Sequence, residues 1–145
     1  MTKHTVLTRT SMIVGLFVTV FGLGSCTKKV TQVVDQGFSA VYTIHQGDWK
    51  VDNSTDPLFQ YYVALNVPEI DQQIVDNGGV MVYLSFDGGT TYDALPEEIG
   101  DYTYNALHSL STLTVGFRKT DWSTPSLPTG DVLAKVVILD ATPLD

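Results

Sequence analysis

Val80-Met-Val-Tyr-Leu-Ser-Phe-Asp-Gly-Gly-Thr-Thr-Tyr-Asp-Ala-Leu95 is the stretch on which the fold turns. Val80–Phe86 is a near-continuous apolar run, as expected of a central strand. Thr91–Leu95 is a second β-type segment. Between them, Asp87-Gly-Gly89 supplies residues that populate the turn conformations of a tight hairpin.

The same texture continues on both sides. Upstream lie Phe38–Ile44, Trp49–Val51 and Leu58–Val67; downstream lie Tyr102–Leu107, Ser111–Phe117 and Asp131–Leu139. All are short, rich in β-branched and aromatic residues, and separated by turn residues. No helix alternates with them, which disfavours a parallel α/β sheet. The expectation is an all-β fold, a mainly antiparallel β-sandwich of about seven or eight strands.

One segment breaks the pattern. Pro68-Glu-Ile-Asp-Gln-Gln-Ile-Val-Asp-Asn-Gly78 places proline and two acids at its start, and Ile70 and Ile74 lie four apart. Acids suit a helix N-terminus, and glycine suits the left-handed position after its last turn. A short helix is expected there, with Ile70, Ile74 and Val75 on the sandwich edge. Ser123–Gly130, with Pro125 and Pro128, reads as a loop, and so do Glu97 and Glu98.

The first residues are of another kind. Met1–Ser11 carries Lys3 and Arg9 and no acid, and Met12–Leu23 runs without a charge. As a helix that run would span about 18 Å, against roughly 30 Å for a bilayer core. It has the size of a signal-peptide hydrophobic region. Leu23-Gly24-Ser25-Cys26 follows, ending on the chain's single cysteine. These four residues resemble the lipobox of bacterial lipoproteins. The resemblance implies a signal peptide over 1–25, lipid on Cys26, a lipidated tether over 26–36 and a domain over 37–145. It also implies a protein of the bacterial cell envelope, lipid-anchored to a membrane, with the outer membrane expected. Stable anchoring takes two or more acyl chains, and lipoproteins of this type carry several on that cysteine.

Ser85, Asp87, Gly89, Thr91 and Tyr92 match the S-x-D-x-G-x-T-aromatic pattern and resemble the Asp-box hairpin of sialidases and other secreted β proteins. There the motif fixes a turn and is not catalytic. The resemblance implies that Asp87 accepts loop N–H groups and that Tyr92 turns into the core. The order Gly47-Asp48-Trp49, Tyr61-Tyr62, Val67-Pro-Glu-Ile70, Gly79–Leu84 and Leu95-Pro96 is loosely similar to small lipoproteins of Bacteroidetes, a likeness that carries no function.

Cleavage removes Lys3 and Arg9, so 8 basic residues become 6 against 16 acids, and the formal charge moves from −8 to −10. Such a domain repels phosphate backbones, which argues against nucleic acid. With Cys26 committed, no disulfide can form. Asp48, Asp52, Asn53 and Asp56 are weak candidates for a calcium site. The EF-hand pattern is absent, and a solvated turn whose Asp and Asn cap backbone groups is the favoured reading of these residues. His45 and His108 lie too far apart in sequence to suggest a zinc site, and no G-x-S-x-G elbow, P-loop or H-E-x-x-H is present. No catalytic residues and no cofactor are expected. The expected role is a non-catalytic binding or scaffolding module, with carbohydrate or another envelope protein as candidate ligand. A row of Tyr61, Tyr62, Tyr102, Tyr104, Trp49 and Trp122 rings could serve it. The alternatives are a calcium-stabilised adhesion or accessory domain and, further off, a hydrolase.

Overall fold

The computed structural model describes residues 37–141. Cys26, the leader and the tether lie outside the described residues. Within them the chain forms β1 (Gly37–Ile44), β2 (Lys50–Val51), β3 (Tyr61–Asn66), α1 (Gln72–Asn77), β4 (Gly79–Ser85), β5 (Asp93–Ala94), β6 (Glu97–Ile99), β7 (Tyr102–Ser109), β8 (Thr112–Lys119) and β9 (Val132–Leu139). One sheet has the order β1-β9-β4-β5 and the other β2-β3-β8-β7-β6. Every pairing is antiparallel. The fold is an all-β sandwich with one α-helix among the described residues.

Period-two burial shows why these segments are strands. In β9, Val132, Ala134, Val136 and Ile138 are buried, while Leu133, Lys135, Val137 and Leu139 alternate with them toward the outside. β9 pairs along its whole length with β1 and over seven residues with β4, so it is the true centre of its sheet. β4 is covered on its other side only where Tyr83 and Leu84 meet β5. The second sheet is centred on β8, whose Leu113, Val115 and Phe117 point inward and are buried. Phe117 is the aromatic hub of the core. The rings of Trp49, Tyr104, Tyr61 and Tyr102 lie 5.0, 5.4, 5.7 and 6.0 Å from it.

Several expectations need correction. Glu97 and Glu98 belong to edge strand β6, paired with Tyr104 and Thr103, and not to a loop, so the described residues hold nine strands. The apolar run Leu58–Val67 is a strand only from Tyr61, because Phe59 folds over the outer face of β8 onto Gly116. The helix starts at Gln72, with Asp71 as its N-cap accepting from the Ile74 N–H at 2.9 Å. Ile70 and Ile74 are buried, but Val75 is 38 % exposed and faces away from the core. Gly78 is not left-handed, since its φ is −89°. Glycine is needed there because a Cβ would lie 2.6 Å from the Leu139 carbonyl oxygen and 2.9 Å from the Ile74 Cα.

The strands give the domain two distinct ends. Gly37, Gly79 and Leu139 meet at one end, where α1 and the β7–β8 turn also lie. The opposite end carries the turn after β1, the loop over 52–60, the hairpin over 86–92 and the loop over 120–131. The chain therefore enters its first strand at the end away from these loops.

Candidate functional site

The loop end gathers the residues singled out in the sequence. In the 85–92 hairpin, the buried Ser85 donates its hydroxyl to Asp87 Oδ1 at 2.8 Å and accepts the Gly89 N–H at 2.8 Å. Asp87 Oδ1 also accepts the N–H groups of Thr90 and Thr91, each at 3.0 Å, and Oδ2 accepts the Thr91 hydroxyl at 2.7 Å. These bonds, those from Thr91 foremost, hold the Asp87 carboxyl down to about 2. Gly88 and Gly89 have φ of 72° and 92°, which glycine adopts without strain. The carboxylate thus makes four hydrogen bonds inside its own turn. Tyr92 departs from its expected place. It is half-buried on the outer face of the four-stranded sheet, where the Lys135 ammonium sits 4.2 Å from its ring and 4.7 Å from that of Tyr83.

The four calcium candidates do not converge. Asp48 accepts the His45 N–H at 2.8 Å and Asp52 accepts the Ser54 N–H at 3.0 Å, each closing a local turn. Asn53 and Asp56 are exposed in the same loop. Among the described residues no group of three or more His, Cys, Asp or Glu side chains is placed to hold a metal ion. His45 Nδ1 donates to Asp131 Oδ1 at 2.8 Å, and that bond raises its pKa. His108 is exposed on β7, away from this end. No serine or cysteine is hydrogen-bonded to His45 among the described residues, so a nucleophilic triad is not assembled there.

The aromatic residues divide differently from the expected row. Trp49 and Tyr104 are each 7 % exposed and belong to the core. Burial pushes the Tyr104 hydroxyl up to about 12. Tyr61 stacks on Phe117, and Tyr102 accepts the Ser126 N–H through its hydroxyl at 3.1 Å. Of the rings named in the sequence, Trp122 is the one left substantially exposed, at 47 %. Phe86, at 41 %, joins it at the loop end.

Two clefts flank the proline-bearing loop that contains Pro125 and Pro128. One, of about 310 Å³, is lined by Phe86, Tyr102, Tyr104, Leu127, Pro128 and Asp131. The other, of about 260 Å³, is lined by Val51, Asp52, Pro57, Phe59, Trp122 and Pro125. The loop is anchored: Pro125 is buried, and Gln46 Nε2 donates to the Pro128 carbonyl at 2.9 Å. The second is the more apolar of the two, and apolar clefts with a few polar groups are where small ligands bind.

Trp122 is also conformationally unusual, with φ of +59°. A left-handed backbone costs a bulky L-residue about 1–2 kcal/mol. Its surroundings hold it there. Gln60 Nε2 donates to the carbonyls of Trp122 and Ser123 at 3.1 and 3.0 Å, and Gln60 Oε1 accepts the Lys119 N–H at 2.8 Å. The Trp122 N–H reaches the Lys119 carbonyl at 3.1 Å. Asp121 accepts both the N–H and the hydroxyl of Ser123. The Arg118 guanidinium lies 5.0 Å from the indole centroid. No feature of the sequence marks this conformation, because Gln60 and Trp122 are brought together only by the pairing of β3 with β8. The proline pair offered the one local hint that a built loop stands here.

Among the described residues no helix is long and apolar enough to cross a membrane. No protein-family model, curated protein or solved structure matches this chain.

Proposed function

We propose that this chain is a lipid-anchored protein of the bacterial cell envelope, expected at the outer membrane, acting as a non-catalytic binding module whose ligand site lies at the loop end of the sandwich. The observation that carries the reading is polarity of placement. β1 starts at Gly37 at one end, and its eight residues span about 27 Å to the opposite end. A chain anchored through Cys26 therefore enters the domain far from the two clefts, which stand away from the entry point. Both clefts carry exposed aromatic rings held by anchored backbone, the arrangement of a recognition surface. Asp87, the most strongly perturbed carboxylate, is satisfied within its hairpin, which supports a structural role over a chemical one.

The test has two arms. Cells fed an alkyne fatty acid should label the wild-type protein, and Cys26→Ala should abolish the label and leave precursor or released domain. Label retained in the Cys26→Ala protein would sink the anchor. For the binding site, envelope ligand captured by the wild-type protein should be lost when Phe86 and Trp122 are both replaced by alanine. Capture that survives the double replacement would place the site elsewhere.

A further inference from the structure

The cleft beside Trp122 has a more specific chemistry, and we propose that it binds a neutral polysaccharide, with one sugar ring stacked on the Trp122 indole. This deepens the loop-end binding reading and rests on it. A pyranose has an apolar C–H face and a rim of hydroxyls that both donate and accept. The cleft mirrors that division. Its lining combines Trp122, Val51, Pro57 and Pro125 with the acid Asp52 and the alcohol Thr124. Arg118 occupies one face of the indole, so a sugar takes the opposite face.

The lining offers acceptors to hydroxyl donors. Asp52 is partly exposed and its carboxylate accepts the Ser54 N–H at 3.0 Å, with lone pairs left for a ligand. A carboxylate and a hydroxyl in the lining accept from hydroxyl donors. Sugar hydroxyls supply those donors at each step along a chain. Anionic ligands are disfavoured because the chain from Cys26 onward carries 16 acids against 6 basic residues. The two cations nearby are engaged: Arg118 stands on the indole, and Lys119 pairs with Asp101 at 2.9 Å. Uronic-acid or phosphate polymers would meet repulsion. The anchored backbone at Trp122 and the Arg118 guanidinium on its indole restrict where the ring lies. A ring already held in its binding pose loses less freedom when a ligand arrives.

The test uses the full acylated protein in detergent and affinity electrophoresis through gels containing a soluble β-glucan, an α-glucan, a xylan, a mannan or polygalacturonate. At least one neutral polymer should retard the wild type, and polygalacturonate should not. Trp122→Gly should weaken that binding by about tenfold or more. Glycine accepts φ of +59° freely, so this variant should melt no lower than Trp122→Ala, which separates loss of the ring from loss of the fold. Leu110→Ala, exposed at the opposite end, should bind like the wild type. Retardation unchanged in Trp122→Gly, or no retardation by any neutral polymer, overturns the proposal. Loss in Phe86→Ala with Trp122→Gly unaffected moves the site to the neighbouring cleft and leaves the loop-end reading standing. An envelope protein that binds purified wild type but not Trp122→Gly, with every polymer inert, replaces the sugar by a protein partner.

Discussion

The Asp87 carboxylate accepts from two backbone N–H groups and two hydroxyls, all contributed by Ser85, Thr90 and Thr91. Each of these bonds strengthens when the acceptor is ionised. The folded state therefore holds Asp87 near 2, below the ordinary value of 3.8 that the unfolded chain retains. A group whose pKa is depressed on folding stabilises above its unfolded pKa and loses that contribution as the pH falls through the folded one. Asp87→Ala should accordingly melt a few degrees below the wild type at pH 7. The gap should be constant down to about pH 4 and close between there and pH 2. Thermal melts across that range decide it. A gap that is absent at pH 7 would mean the carboxylate does not hold the turn.

At the scale of the element, β8 shows how one strand serves two layers. Its inward face carries Leu113, Val115 and Phe117, and its outward face carries Gly116, on which the Phe59 ring lies. Phe59 is 4 % exposed although it stands outside the sandwich, because the loop before β3 folds it back over the sheet. A Cβ at position 116 would overlap that ring. Gly116→Ala should therefore cost about 1–3 kcal/mol, the usual penalty of forcing atoms into filled space. In a Phe59→Ala background the same change should cost almost nothing, since the obstruction is gone. Urea unfolding of the four proteins measures the coupling. Simple additivity would show that the ring does not sit on Gly116 in solution. The two clefts depend on the same packing, because Phe59 walls one of them and Gln60, its neighbour, holds the Trp122 loop.

For the whole molecule the governing quantity is charge. Sixteen acids crowd a small domain, so any divalent cation relieves repulsion by screening. A dedicated calcium site would add to this only for calcium, because magnesium fits a flexible oxygen cage poorly. Asp48 and Asp52 are turned into their own loops, and the described residues hold no cluster of three carboxylates or imidazoles. Calcium and magnesium at equal ionic strength should raise the melting temperature equally. A larger rise with calcium that Asp52→Ala removes would revive the calcium-stabilised reading.

Local chemistry was legible in the sequence wherever its causes are local. Segments rich in β-branched and aromatic residues between turn residues marked β1, β4, β7, β8 and β9, the Asp-Gly-Gly turn marked the 85–92 hairpin, and the proline, acids and isoleucines of 68–74 marked the neighbourhood of α1. Those signals depend on neighbours within a few positions, so the all-β class followed from them. What the tertiary structure alone decided depends on residues far apart in the chain. Glu97 and Glu98 have no β-type texture and become a strand only because β7 offers an unpaired edge. Val75 and Tyr92 carry apolar bulk yet turn outward, because the core is already filled by Ile74 and by the rings around Phe117. The left-handed Trp122 is set by Gln60, 62 positions earlier, through a hydrogen bond that exists only after β3 has paired with β8. The candidate binding surface is built from such long-range pairs, and a linear pattern records turn and strand preferences without recording which strands meet.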